Sequence, residues 1–223
     1  MSAAVRTLEM QTGEVTVSQS QIFRYMGLGG AKPDNTLAAL TADCLAAFES
    51  VVRYKVRYAV LPVGMEENGI SFGAFFAPGG DIVKHLDGCD KAIAFVATTG
   101  MEVEIQRKRA AVASPAQALV FDAIGTAAIE CFCDALCELW QKEYSLGFLR
   151  SRFSPGYGDL PLELQKSLLE FLCSRRIGVA LSDALLMIPQ KSVSAFVGIG
   201  ETGGADSIAE CSRCKGGDCQ FRL

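Results

Sequence analysis

Ala92-Ile93-Ala94-Phe95-Val96-Ala97 is an unbroken apolar run. A strand wetted on one side alternates apolar and polar residues, so this run predicts a strand covered on both faces. Downstream, Ser114-Pro115 supplies a capping hydroxyl and then a proline at the first helical position. Leu119, Ile124, Cys131, Leu136 and Leu139 carry that helix to about Glu143, and Gly125, Ala127 and Ala128 leave part of it thin enough for close packing. Upstream, Arg57–Val63 and Gly69–Ala77 read as strands, and Asp81–Leu86 as a short helix.

Further toward the N-terminus, Pro33-Asp34-Asn35 supplies a turn and a cap. Leu37, Leu40, Cys44, Leu45, Phe48 and Val52 then mark one face of a helix. Ser18–Gly30 predicts a short helix through Ile22, Phe23 and Met26, stopped by Gly27, Gly29 and Gly30. After a polar loop, Asp159-Leu160-Pro161 is a cap-like start for a helix with Leu164, Leu168, Phe171 and Leu172 on its stripe. Val179–Leu181, Leu186–Ile188 and Ser192–Ile199 read as strands, the last with Val193, Ala195, Val197 and Ile199 on one side. Helices and strands follow one another without regular alternation, which predicts an α+β fold rather than a doubly wound sheet. No repeat or linker divides the chain, so one domain is expected over residues 1–200, with a Gly- and Cys-rich tail at 201–223.

Composition removes several classes. Half of the 223 residues are hydrophobic and the net charge is −4, which excludes a disordered chain. A chain of this length buries roughly 70% of its unfolded surface and needs no disulfide to fold. Mild acidity gives no electrostatic footprint for nucleic acid. The opening MSAAVRTLEMQTGEV does not read as a secretory signal, and no apolar run is long enough to cross a bilayer. Nine cysteines, many within predicted helices, fit reduced thiols in a cytoplasmic protein.

The segment Arg150-Ser151-Arg152-Phe153-Ser154-Pro155-Gly156-Tyr157-Gly158-Asp159 carries the most distinctive chemistry. Arg152 offers a planar fork of donors to a carboxylate, and Tyr157 an aromatic face and a hydroxyl. Pro155, Gly156 and Gly158 build a turn that lets backbone approach a ligand closely. A zwitterionic ligand with an aromatic ring suits this set; a tight surface loop with solvated arginines is the plain alternative. In the tail, Cys211, Cys214 and Cys219 have metal-ligand spacing for zinc or an iron–sulfur cluster, with Cys89, His85, Asp218 or a partner residue as a fourth ligand. A flexible tail with redox-sensitive thiols is the alternative there.

Three further features call for less. Gly198-Ile199-Gly200-Glu201-Thr202-Gly203 spells a dinucleotide fingerprint, but too little chain follows for the helix and second parallel strand it needs. His85, the lone imidazole, is expected at the surface or its boundary. Arg107-Lys108-Arg109 reads as a solvated basic face, or as a guide for an acidic electron donor.

Arg152-Phe153-Ser154-Pro155-Gly156-Tyr157 resembles the Arg-Pro-Ala-Pro-Gly-Tyr segment of the activation domain of cobalamin-dependent methionine synthase. Leu181–Ser194 resembles that family's later block, with a Met-x-Pro turn before a Ser-Val-Ser strand, and Phe121–Glu130 falls where the family has its long helix. The chain as a whole is similar to free-standing bacterial activation subunits, with the resemblance strongest over Val120–Ile199. Two departures stand out. Gly158-Asp159 follows the loop directly where the family continues with Pro and a Cys-Pro-Asp turn, and Thr126 stands where an acidic ligand contact is expected.

The resemblance implies a curved antiparallel sheet flanked by helices, and a site for S-adenosylmethionine. It implies reductive methylation of cobalamin carried by a partner methionine synthase, with a flavodoxin- or ferredoxin-type electron donor. Arg152 would hold the methionine carboxylate, Ser154 and Gly156 would offer backbone hydrogen bonds, and Tyr157 would act near the methyl group or the corrin face. The competing expectation is a cysteine-tail metal- or redox-binding protein that uses the same scaffold to dock on a corrinoid protein and makes no use of S-adenosylmethionine.

Overall fold

The structure is a computed structural model and describes residues 3–28, 33–144 and 148–200. In chain order its strands and helices are β1 (Arg6–Met10), α1 (Gln19–Tyr25), α2 (Asn35–Val51), β2 (Tyr54–Pro62), β3 (Gly64–Glu66), β4 (Gly69–Ser71), β5 (Phe76–Pro78), α3 (Gly80–His85), β6 (Cys89–Thr98), α4 (Met101–Ala113), α5 (Pro115–Glu143), β7 (Phe148–Phe153), α6 (Leu164–Phe171), β8 (Ala180–Leu181), β9 (Met187–Ile188) and β10 (Ser192–Gly200). A five-stranded antiparallel sheet in the order β1-β2-β6-β10-β7 is the backbone of the molecule. A three-stranded meander (β3-β4-β5) and a β8–β9 pair stand apart from it.

The apolar run sits in β6, the middle strand of the five: it is flanked by β2 and β10 and buried on both faces. Ile93, Phe95 and Ala97 enter one core, with Trp140, Phe132, Ile124 and Phe48 from the helices α5 and α2. Ala92, Ala94 and Val96 enter a second core on the other face, with Leu168 and Leu164 of α6, Ile82 of α3 and Ile70 of β4. Alternation along β10 divides in the same way. Ala195 and Val197 join the first core, and Phe196 stacks on Phe72 in the second with ring centroids 4.8 Å apart. Helices therefore cover both faces, and the chain is a mixed α/β domain built on an antiparallel sheet, as expected.

The cap at α2 is the one the sequence predicts, α1 is capped as well, and at α5 the Ser114 hydroxyl makes no capping hydrogen bond. Ser18 and Gln21 close a capping box, and Asp34 Oδ1 accepts from the Leu37 amide at 2.7 Å. Pro115 opens α5, which ends at Glu143.

Four expectations need correction, and one helix, α4, was not expected. Gly69–Ala77 is two short strands, β4 and β5, because the chain turns at Gly73 (φ +77°). The stretch after Glu143 contains the edge strand β7 rather than only a polar loop. Helix α4 has no apolar stripe to announce it; Ser114, extended at φ −162°, separates it from α5. Asp159 does not cap α6. Its carboxylate accepts from the amides of Gly80 (2.7 Å) and Asp81 (3.0 Å), so it caps α3 across the chain. His85 is buried, at 7% exposure. Its Nε2–H donates to the Ser151 carbonyl at 2.9 Å, and its ring packs on Phe153 at 4.8 Å.

A candidate ligand cleft at the edge of the sheet

Arg150 and Arg152 lie two residues apart, and on a regular strand they would point to the same face. They do not. The pairing of β7 with β10 slips between Val197 and Ile199, where Arg152 pairs with Val197 but Leu149 pairs with Ile199. One extra residue on β7 reverses the alternation, the usual effect of a bulge. Arg150 consequently lies toward Gly198, Leu86 and Cys89, with its Nη2 donating to the Asp87 carbonyl at 2.9 Å. Arg152 goes to the other side, beneath α5.

There Arg152 Nη2 meets Glu130 Oε2 at 2.8 Å and Asp134 Oδ1 at 3.2 Å, two carboxylates one helical turn apart. Its side chain is 24% exposed, and its Nη1 is buried with no hydrogen-bond partner. Burial lowers the guanidinium's pKa, but Cys133, Glu130 and Asp134 outweigh it and the net direction is up. Burial also pushes the Cys133 thiol up, and the Cys137 thiol up to about 11, against the pull of Arg152. Both thiols are protonated at neutral pH and act as packing groups rather than nucleophiles.

The loop after β7 folds as the Pro-Gly pair dictates. The Tyr157 amide donates to Ser154 O at 3.0 Å around Pro155 and Gly156, and Gly156 takes φ +93°, the arrangement of a type II turn. The Gly156 amide is itself bonded to Leu160 O at 2.9 Å, which pins the loop to the start of the α6 region. Tyr157 emerges 54% exposed, edge-on to Phe153 with centroids 5.9 Å apart.

These elements surround a cleft of about 310 Å³. Arg152 and Ser151 of β7 and Glu130 of α5 line one side, Ser154 and Tyr157 the loop side, and Gln165 of α6 and Met187 of β9 the other. Ser192, Val193 and Ser194 of β10 complete it. The cleft exists because β7 pairs with β10 only from Phe196 onward, leaving the first part of β10 without a neighbouring strand on that edge. Seven buried side-chain polar atoms among the described residues lack a partner, and three of them belong to residues of this one cleft: Arg152 Nη1, Gln165 Oε1 and Ser194 Oγ. Such groups are destabilising unless something satisfies them, so their clustering makes this cleft the candidate site for a polar ligand.

Arg152, Ser154 and Tyr157 thus converge on the cleft, while Gly156 shapes the turn beside it. Glu130, Gln165, Ser192 and Ser194 were not singled out by sequence reasoning. Glu130 carried a signal in its helical spacing to Asp134, and Ser192 and Ser194 in the Ser-Val-Ser match. Thr126 does not face this cleft as a bare substitute for an acid. It accepts from Lys191 Nζ at 2.8 Å, and Lys191 also pairs with Asp122 at 3.0 Å, its stem lying across Gly125.

The other sequence features resolve as follows. Cys211, Cys214 and Cys219 lie outside the described residues, as do Gly29, Gly30 and Glu201–Gly203. Among the described residues no group of His, Cys, Asp and Glu could hold a metal ion. Gly198 and Gly200 are inside antiparallel β10, where a side chain at Gly198 would strike Cys89 and Leu86 at 2.8 Å; the glycine serves close packing rather than a phosphate turn. Arg107 and Lys108 lie on α4, both facing the buried Glu104 carboxylate, at 2.7 and 4.0 Å. Among the described residues, no helix is long and apolar enough to cross a membrane.

No family model and no curated protein matches the sequence. Among solved structures, the chain is similar in fold to the crystal structure of the MetH reactivation domain bound to AdoHcy. The TM-score is 0.65 at 15% identity, over 90% of this chain and 80% of that one. The two share a fold.

Proposed function

We propose that this chain binds S-adenosylmethionine in the cleft at the edge of the sheet and serves as an activation subunit for a cobalamin-dependent methionine synthase that lacks its own activation domain. The observation that carries the reading is the half-used guanidinium of Arg152. One nitrogen is fixed by Glu130 and Asp134, the other is buried and unpartnered, and the residue lines the cleft. A guanidinium beside carboxylates suits the carboxylate and ammonium of an amino-acid end group. In support, a domain of the same fold has been crystallised with AdoHcy, the demethylated form of that ligand.

In this reading Arg152 takes the ligand carboxylate through Nη1, and Glu130 takes the ammonium. Tyr157, held edge-on by Phe153, lies at the open side, where it faces the reacting methyl group or the corrin of the partner. Ser154 contributes backbone hydrogen bonds; the Gly156 amide is already bonded to Leu160, so Gly156 contributes through its carbonyl. S-adenosylmethionine would supply the methyl group, and a flavodoxin- or ferredoxin-type protein the electron, for a corrinoid held by the partner. This chain's own part is to bind, orient and present the donor.

Isothermal calorimetry with S-adenosylmethionine tests the proposal. Saturable binding that weakens in Arg152→Ala is expected. Absence of heat and of any thermal shift at millimolar ligand would overturn it.

A further inference from the structure

We infer that Gln165 on α6, with Ser194 on β10, reads the hydrogen-bonding edge of an adenine ring in the cleft. This inference rests on the S-adenosylmethionine reading and names the part of the ligand that the second wall recognises. Gln165 is 7% exposed and Ser194 3%, and the Gln165 Oε1 and Ser194 Oγ atoms are both buried without a hydrogen-bond partner. Gln165 lies in a helix whose neighbouring positions Leu164, Leu168 and Leu169 are core residues, so an apolar side chain would suit the empty fold better.

Position along the cleft assigns the wall its task. Arg152 and Glu130 form the charged end under α5, and Gln165 comes from the helix covering the opposite face of the sheet. An elongated molecule whose zwitterionic end is held by Arg152 brings its uncharged ring toward Gln165. A carboxamide presents a donor and an acceptor side by side, the complement of adenine N7 and N6. The terminal torsion of glutamine is soft, so the amide turns to face the ring without moving the helix. Met187 and Tyr157 line the same cleft and offer apolar and aromatic surface to the flat faces of the ring.

The test compares S-adenosylhomocysteine with S-inosylhomocysteine, in which the 6-amino donor is replaced by an oxo acceptor. Calorimetry on the full chain is expected to show a preference for the adenine compound of about 5- to 150-fold, the range of one bidentate base contact. Gln165→Leu should reduce that ratio to about 2-fold or less, and should raise the melting temperature of the ligand-free protein by removing an unsatisfied polar group. Binding of both compounds with no preference, or with a preference that survives in Gln165→Leu, overturns this inference alone. Binding of neither compound overturns the ligand reading as well. The wild-type ratio needs no variant to be informative.

Discussion

Arg152 is the residue on which most of the chemistry converges, and its surroundings set the size of the effect expected on removing it. Arg152→Ala deletes a charge-assisted contact to the ligand and leaves Glu130 and Asp134 facing each other without their shared cation. Loss of a hydrogen bond to a charged group weakens S-adenosylmethionine binding by about 1.5–3 kcal/mol, read by calorimetry. Gly156 is a backbone case. At φ +93°, with Leu162 Cδ1 3.4 Å from where a Cβ would stand, it tolerates no branched side chain. Gly156→Val is expected to strain the turn by about 1–3 kcal/mol and to cut ligand affinity while circular dichroism still reports a folded chain. An unfolded variant would make Gly156 a residue of the scaffold. Both residues were legible in the sequence because their types are unusual together. Gln165 was not, since a single glutamine in a leucine-rich helix carries no signal, and Ser194 was read only as part of a strand until the cleft brought the two together.

At the scale of elements, the loop from Ser154 to Leu160 is tied down from two sides. Its own turn bonds hold one end, and Asp159 holds the other to the first amides of α3. The amides of Asp81 and Gly80 keep the Asp159 carboxyl below the ordinary aspartate range. A carboxyl with a depressed folded pKa contributes stability that is fully present above its unfolded value of about 3.9, and that contribution fades as the pH falls through the folded value. The amide resonances of Gly80 and Asp81 are therefore expected to move together on acidification below about pH 4. Amides that titrate elsewhere, or not at all, would sever Asp159 from this role. Element types were read well from the sequence where periodicity was strong, as in α2, α5 and β6. Helix α4 and strand β7 escaped it. The first has charged residues around most of its circumference, and the second is a partly exposed edge strand whose alternation a bulge interrupts.

For the molecule as a whole, two apolar cores share one sheet, and neither face can be lost without exposing β6. Leu168, fully buried in the second core, tests that dependence. Leu168→Asp places a charge where no partner awaits it and should abolish the cooperative thermal transition. A variant that still melts cooperatively would mean that the α6 layer is dispensable. The two-sided architecture was legible because the apolar run of β6 calls for cover on both faces, whereas the antiparallel order was implied by the family resemblance. The location of the cleft was not, because it depends on where β7 stops along β10, and no residue type encodes the length of a pairing.

The bulge in β7 carries a last consequence. Strand parity acts here as an address for positive charge, and a single supernumerary residue writes it. Pairing continued without the slip from Arg152 opposite Val197 would set Arg150 opposite Ile199, on the same side as Arg152. The acidic pair on α5 would then confront two guanidiniums rather than one, so the extra residue keeps the cleft's positive charge to a single side chain.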